Sequence, residues 1–308
     1  MQENNLDNND NMQEQLLINN NDEENILIIN KDFFIPWTSL SIKFGIYNEY
    51  YSVYKNNPRN NSLFFFFQSL FFPNLSILSI TFFIGIINII IFSITIFYGI
   101  ETTNKEDFLT PKIVTLNKFG YFEPYLIKEN KFNIYRCFTA NFLHINLKHL
   151  LFNIFGFFMF SSLFEKLIKK YQFLLIYIIC GFCGYFSSGR FYKEKEWSVG
   201  SNSSIFGIHG AFFAYFILNW GQLNRHFGNW GKYYCSYFLS ILSFLFFVFY
   251  LFSSFIDTYT QITAAYYGFL FYSVIISPIE STFCKKVWRV FSLFLFVGLL
   301  FLDYCFYL

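Results

Sequence analysis

Long uncharged apolar runs are the feature that most restricts how this chain can fold. The run Ile77–Tyr98 contains no charged residue and has about the ~20 residues that a helix needs to cross a bilayer. Backbone groups inside a bilayer have no water to bond, so such runs fold as helices. The composition favours several crossings, since 55% of the residues are hydrophobic, 25% aromatic and only 14% charged. The sequence therefore predicts an all-α polytopic membrane protein.

Seven membrane spans are predicted along the chain. The first, Ile77–Tyr98, is followed by a long mixed connection, Glu101–Lys148, which carries both charge signs and only short apolar pieces. Connections of this length without periodic structure are usually functional or disordered. Six further spans follow in quick succession: His149–Phe164, Phe173–Ser188, Ser203–Trp220, Tyr233–Phe255, Ile262–Pro278 and Val287–Tyr307.

Three regions are predicted from these patterns. Residues 1–31 are rich in Asn, Asp, Glu and Gln and cannot bury enough apolar surface to fold, so we expect a disordered cytosolic tail. Residues 32–76 mix aromatic side chains with lysine and arginine, which is typical of a segment lying in the lipid headgroup layer. Residues 77–308 form the seven-span domain. The N-terminus lacks the charged and apolar regions of a cleavable signal peptide.

Positive charges in the short loops predict the orientation. Cytosolic loops carry an excess of lysine and arginine. An N-terminus in the cytosol, with the long first loop outside, puts most of these charges on the cytosolic side. An acid-poor, arginine-rich N-terminus is absent, so a secretory-pathway or plasma membrane is predicted rather than a mitochondrial one. The charges concerned are Lys166, Lys169, Lys170, Arg225, Lys232, Lys285, Lys286 and Arg289.

Several classes of function are disfavoured. The net charge is +2 with no long basic block, so no nucleic-acid partner is predicted. Cys180 and Cys183 have C-x-x-C spacing within a span but no metal ligands beside them, and they read as small buried hydrophobes. No metal or cofactor is predicted. Charge is almost absent from the spans, which gives a channel or transporter little support.

A stretch of small residues opens the fourth span. Val199–Ala211 reads V-G-S-N-S-S-I-F-G-I-H-G-A, and its small side chains allow helices to pack at backbone distance in lipid. On the second span, His149 and Asn153 are four residues apart and share one helical face. Polar side chains within a span point toward a cavity or another helix. His209, later on the fourth span, is predicted to be a satisfied packing histidine.

In this order, these features resemble the rhomboid family of intramembrane serine proteases. Tyr135-Arg136 resembles the W-R motif of the family, and the stretches 139–144 and 149–153 resemble its T-x-x-F-x-H and H-x-x-x-N elements. The resemblance covers about Ile77 to Tyr307 and implies a six-helix bundle plus one C-terminal transmembrane helix. It implies oxyanion-binding roles for His149 and Asn153. It also implies structural roles for Arg136, Glu165, Gly200, Gly207, Gly210 and Gly268.

The resemblance fails at the nucleophile. The family motif G-A-S-G-A-hydrophobic-F-G-x-x-G-A aligns without a gap and places Asn202 where the serine should be. A carboxamide has no ionisable proton to lose and no useful nucleophilicity. Ser201 and Ser203 flank this position, but each points about 100° away from Asn202 around a helix.

The base position is also degenerate. The family pattern A-H-x-G-G-x-x-x-G, aligned on Gly268, places Ala265 at the histidine. Tyr267 and Tyr272 then replace glycines, and we expect them to remove the close contact between the fourth and sixth spans. The sequence contains no histidine after His226.

Two functional hypotheses follow. The first is a catalytically inactive rhomboid that binds transmembrane segments of client proteins in an adaptor or regulatory role, with lipid and client helices as its partners. His149, Asn153 and Asn202 would line a polar inward site. The alternative is an active intramembrane serine endopeptidase with Ser201 or Ser203 as a displaced nucleophile and His149 as the base.

Overall fold

The computed structural model describes residues 72, 75–101, 108–227, 257–275 and 282–308, without side chains for 163 and 222–227. In these ranges the chain is helical, and its only extended pairing is two isolated bridges, Ile100–Pro111 and Phe122–Ser198. The helices are α1 (Ile80–Phe97), α2 (Ile113–Phe119), α3 (Pro124–Glu129), α4 (Arg136–Thr139), α5 (Leu147–Leu167), α6 (Lys170–Ser188), α7 (Asn202–Phe227), α8 (Thr258–Ile275) and α9 (Phe283–Tyr307). Short 3-10 turns occupy Lys131–Tyr135, Ala140–Phe142 and Gly189–Phe191.

The prediction of an all-α membrane protein is confirmed. Among the described residues, α1, α5, α6 and α9 are long and apolar enough to cross a membrane. The helices α7 and α8 coincide with the predicted fourth and sixth spans, but their composition is more polar and they lie at the centre of the bundle. The tail, most of the interfacial segment and the predicted fifth span, Tyr233–Phe255, lie outside the described residues, so the domain bounds and the arrangement of six helices plus one stay predictions.

The central helices α7 and α8 touch through their backbones. A β-carbon added to Gly210 would lie 2.6 Å from the carbonyl carbon of Ala265, and one added to Gly268 would lie 2.7 Å from that of Gly207. Glycine is needed at both places because any side chain would overlap the backbone of the neighbouring helix. The two contacts are one helical turn apart and fix α8 against α7.

The expectation that Tyr267 and Tyr272 would remove the close contact between these helices is wrong, because the glycine contacts form with both tyrosines in place. Tyr267 is 1% exposed and turns toward α9, where its hydroxyl donates to Asp303 at 2.5 Å. Tyr272 packs against the rings of Phe164 and Tyr215, with both centroids 6.1 Å away. Tyrosine side chains on α8 are therefore compatible with its glycine packing against α7.

The C-terminal part of the last helix is docked by a buried aspartate and a buried tyrosine. The fully buried Asp303 carboxylate accepts the Tyr267 hydroxyl and forms an ion pair with Arg190, whose side chain is 33% exposed. Tyr307 donates to the Phe186 carbonyl at 2.9 Å and stacks on its ring at 4.7 Å. Most other α9 side chains are exposed and apolar, as expected for a surface facing lipid.

The connection from α1 to α5 is folded, although its sequence showed no periodicity. The buried Arg136 side chain explains much of this order. Its guanidinium donates to the Tyr121 carbonyl at 3.1 Å, the Asn117 carbonyl at 3.3 Å and the Asn133 side chain at 3.3 Å. These bonds join three separate turns of the connection. Arg136 therefore acts as a structural cross-link rather than as an interfacial anchor.

Glu165, near the end of α5, caps the start of α1. Its two carboxylate oxygens accept the backbone N–H of Ile80 at 2.7 Å and of Thr81 at 2.9 Å, and also the Thr81 hydroxyl at 2.7 Å. A carboxylate at a helix N-terminus satisfies donors that the helix cannot bond and interacts favourably with its dipole. Because the residue is 6% exposed, these bonds tie two helices together in a dry environment.

We expect Glu165→Ala to lower the free energy of unfolding by about 2 kcal/mol, since it leaves buried donors of α1 without a charged acceptor. Thermal unfolding of the purified protein in detergent would measure this. Glu129→Ala, which removes an exposed carboxylate from α3, is the matched control and should change little. Equal melting temperatures for the two variants would contradict the capping role.

Candidate functional site

The site is built around Gly200, which lies two residues before the start of α7 at Asn202. Gly200 has φ +138°, a conformation that side chains rarely adopt, and a β-carbon there would lie 2.7 Å from Cε1 of His149. Its N–H donates to the Ala140 carbonyl at 2.9 Å, and its carbonyl accepts the Tyr185 hydroxyl at 2.9 Å. The backbone is therefore held from both sides while it lies against the imidazole of α5.

The three side chains after Gly200 diverge to different partners. Ser201 Oγ is 3.3 Å from Nε2 of His144, and Asn202 Nδ2 is 3.1 Å from Nε2 of His149. Ser203 Oγ donates to the Gly181 carbonyl of α6 at 2.9 Å. All three side chains are buried. One turn of chain thus distributes its polar groups over three neighbouring elements.

The side chain of Asn202 is hydrogen-bonded to Nε2 of His149. Whichever way its amide is turned, that ring nitrogen is used within the pair, either accepting from the amide nitrogen or donating to the amide oxygen. Nδ1 of His149 and Nδ2 of Asn153 have no hydrogen-bond partner among the described residues. Asn153 is 3% exposed and follows His149 by one turn on α5. The site therefore keeps buried polar atoms that its own side chains do not satisfy.

Sequence reasoning missed the role of His144. The alternative hypothesis made His149 the base for a displaced serine, but the structure places His144 beside Ser201, and His149 beside Asn202. The two imidazole rings lie edge to face with centroids 5.4 Å apart. His144 lay within a matched motif, yet its partner is 57 residues away, and no local pattern indicates that contact.

A second polar contact was also unforeseen. Ser204 Oγ donates to the side-chain oxygen of Asn141 at 2.8 Å, and Asn141 Nδ2 donates to the Cys137 carbonyl at 3.0 Å. Gly181 lies against this pair, since a β-carbon there would lie 2.8 Å from the Asn141 oxygen. The start of α7 is therefore bonded to the folded connection as well as to α5 and α6.

Burial of His144, with His149 beside it, lowers the pKa of the His144 imidazole well below its ordinary value of 6.5. Its ring is 0% exposed, and Nδ1 has no partner among the described residues. An imidazole whose pKa is lowered by burial is a weak proton acceptor. The Ser201–His144 contact therefore has the features of a structural hydrogen bond.

This shift predicts a pH dependence of stability. The folded pKa is depressed, so the ring contributes stability above pH 6.5, and this is lost as pH falls, because only the unfolded chain takes up the proton. The slope is at most about 1.4 kcal/mol per pH unit. Between about pH 7.5 and about pH 5.5, we expect a smaller loss of stability in His144→Gln than in the unsubstituted protein. Parallel losses in thermal melts would contradict this.

The residue at the base position takes no part in these contacts. Ala265 lies on α8 with its backbone against Gly210, and its methyl group can neither give nor accept a proton. Among the described residues, none of the hydrogen bonds of Asn202 or His149 comes from α8. In the described ranges no three His, Cys, Asp or Glu side chains lie together so that they could hold a metal ion.

His209 lies two turns further along α7, away from the serines. Its ring meets those of Phe160 and Phe206 edge to face, with centroids 5.4 and 5.6 Å away. The prediction of a packing histidine agrees with these contacts. Among the described residues neither ring nitrogen has a hydrogen-bond partner, so the prediction that it is satisfied stays a prediction.

Comparison with known proteins agrees with this architecture. A family model of the rhomboid domain matches residues 131–278, which hold α4 to α8 and every residue of the site. The chain belongs to the rhomboid family. This is an integral membrane protein with the rhomboid domain at its centre.

Two relatives show where the likeness is concentrated. The chain is 34% identical over 86 residues to RHOMBOID-like protein 6, mitochondrial, of Arabidopsis thaliana, which covers 28% of each protein. It is 34% identical over 80 residues to the Putative rhomboid protease YdcA of Bacillus subtilis, covering 25% of this chain and 39% of that protein. The matches thus span less than half the length of these relatives.

Proposed function

We propose that this rhomboid is catalytically inactive and binds transmembrane segments of client proteins. The observation that carries the proposal is the Asn202–His149 hydrogen bond at the start of α7. Asn202 places an amide at the nucleophile position, where an active enzyme has an alcohol. This amide is hydrogen-bonded to Nε2 of His149, the imidazole nitrogen that faces the position. The adaptor or regulatory role and the identity of the clients rest on this proposal.

The neighbouring hydroxyls do not supply a replacement. Ser203 turns toward α6 and donates to a backbone carbonyl, so its proton is committed away from both histidines. Serine proteases need a hydroxyl and an oriented base at hydrogen-bond distance. The base position holds Ala265, which among the described residues leaves the Ser201–His144 pair to be considered.

Client binding uses buried polar atoms that are not hydrogen-bonded within the site. Nδ2 of Asn153 and Nδ1 of His149 are buried without partners among the described residues, which is costly in a dry environment. A locally unwound client helix would present backbone carbonyls and N–H groups that lack their own partners. Hydrogen bonds between the site and the unwound client helix would satisfy the polar groups of both. The same groups give no affinity for a regular apolar helix.

A serine endopeptidase is the second candidate function, and it is favoured by one contact, the 3.3 Å between Ser201 Oγ and His144 Nε2. In this mechanism Ser201 would attack a peptide carbonyl while His144 takes its proton. The lowered pKa of the buried His144 imidazole makes this base weak. We therefore rank it below the inactive function.

Covalent labelling with a fluorophosphonate probe tests the proposal. We expect no label on the purified protein, beside an active rhomboid as positive control. The double variant Asn202→Ser, Ala265→His restores both residue types and is expected to gain labelling if the scaffold is otherwise intact. A label on the unsubstituted chain that disappears in Ser201→Ala would overturn inactivity and establish the endopeptidase.

Client binding needs its own test. A photo-crosslinking residue at Asn153, compared with one at the lipid-exposed Phe294 of α9, would capture membrane proteins in cells. Membrane proteins captured from Asn153 but not from Phe294 would support the proposal, and equal capture at the two positions would contradict it. We also propose that the protein resides in a secretory-pathway or plasma membrane rather than a mitochondrial one. Crosslinking in separated secretory and mitochondrial membranes would test this location.

A further inference from the structure

The last turn of α9 packs against residues that border the candidate site. Tyr307 is 2% exposed and belongs to an apolar cluster, the Tyr307 cluster, that mixes α9, α6 and the folded connection. Its hydroxyl lies over Gly189, where a β-carbon would be only 2.9 Å from the Tyr307 ring carbon Cζ. The buried members are Phe122, Ile127, Cys137, Ala140, Tyr185, Phe186 and Tyr307.

Members of the Tyr307 cluster make four hydrogen bonds with Ser198 and Gly200. Ser198 exchanges two backbone hydrogen bonds with Phe122, at 2.9 and 3.0 Å. Gly200 donates to the Ala140 carbonyl and accepts from the Tyr185 hydroxyl, each at 2.9 Å. The rings of Phe122 and Tyr185 pack at 5.1 Å. The backbone on both sides of Val199, which leads to Ser201 and Asn202, is therefore bonded to this cluster, while the Val199 side chain packs with Leu116, Tyr121 and Leu143.

The other end of the cluster depends on α9. Tyr307 bonds to and stacks on Phe186, which neighbours Tyr185 in sequence. Lys128 of α3 lies 3.6 Å from the ring centroid of Phe306, so the last turn also contacts the folded connection. Loss of the Tyr307 side chain would remove a packing partner of Phe186 and Ile127. Ala140 and Tyr185, which bond to Gly200, would then be held less firmly.

We infer that Tyr307 is a positioning residue for the site, which it does not touch. Docking of the last turn of α9 holds the backbone at Gly200 against His149, and release of that turn lets Ser201 and Asn202 move away from the two histidines. The inference concerns the same site as the proposed function, but it is tested without any client. It makes α9 the element through which binding at the site is controlled.

Hydrogen–deuterium exchange of the full chain in detergent tests this inference. In Tyr307→Phe, which loses one hydroxyl and keeps the ring, we expect the amides of Ser198 and Gly200 to exchange about fivefold faster, the effect of a typical hydrogen bond. Tyr307→Ala should have a larger effect. Tyr304→Phe is the matched control, because that side chain is 51% exposed in the same turn.

Faster exchange confined to residues 303–308 and 186–189, with Ser198 and Gly200 unchanged in both Tyr307 variants, would overturn the inference. A second readout separates it from the proposed function. Crosslinking of clients at Asn153 in Tyr307→Phe should fall if both hold. If no client is captured even from the unsubstituted protein but exchange responds as expected, the client proposal fails and the positioning role of Tyr307 stands.

Discussion

Gly210→Val is expected to abolish folding of the membrane domain. The added side chain would overlap the carbonyl of Ala265 on α8, where only backbone atoms are available to move. Overpacking a core with side chains that can shift costs about 1–3 kcal/mol, and a contact between two backbones has less freedom to relax. We therefore expect a loss of more than about 3 kcal/mol, seen as aggregation or absence of a monodisperse peak in size-exclusion chromatography.

Gly298→Val on α9 is the matched control, because a β-carbon there meets nothing within 4 Å. Both variants place the same β-branched residue inside a membrane helix, so helix propensity is equal and only the packing differs. Gly268→Val should behave like Gly210→Val, since it would overlap the backbone of Gly207. A Gly210→Val protein that purified and melted like Gly298→Val would disprove the contact between α7 and α8.

Asp303→Ala is expected to be the most damaging substitution in α9. The carboxylate is 0% exposed and satisfies the Tyr267 hydroxyl and the Arg190 guanidinium together. Removing one partner of a buried ion pair leaves the other charge uncompensated, at a cost of about 3–5 kcal/mol. We expect the lower part of this range, because Arg190 is 33% exposed and can turn toward water or headgroups. Thermal unfolding in detergent measures the loss.

Three further variants distinguish charge from hydrogen bonding at this position. Asp303→Asn keeps an acceptor for Tyr267 and should retain part of the stability, whereas Tyr267→Phe removes only the hydroxyl and should cost about 1 kcal/mol. Arg190→Met leaves the carboxylate buried without its counter-ion and should approach Asp303→Ala. If Asp303→Ala melts within the error of the unsubstituted protein, the Asp303 carboxylate does not contribute to holding α9.

The sequence predicted best where a single physical requirement decides the outcome. The first span was predicted at Ile77–Tyr98 and the helix runs Ile80–Phe97, because an uncharged apolar run has no alternative to a membrane helix. Gly207, Gly210 and Gly268 were singled out as small, and each lies where a neighbouring helix comes closest. Local composition was sufficient for these features.

Prediction failed where a side chain depends on a partner far along the chain. Tyr267 was expected to push two helices apart, but its direction is set by Asp303, which is 36 residues away. The alternative hypothesis paired Ser201 or Ser203 with His149 as the base, but the turn at Gly200 directs Ser201 to His144. Such choices depend on which faces of the helices meet, and the periodicity of one segment carries no information about them.

The contact between α7 and α8 also limits how the bundle can move. Two backbone contacts one turn apart, at Gly207–Gly268 and Gly210–Ala265, oppose both sliding and rotation of one helix against the other. The pair should therefore behave as a rigid body on the timescale of domain motions. Any displacement that admits a guest helix must then be made by the helices around this pair. Spin labels on α7 and α8 should keep one sharp distance when such a guest binds.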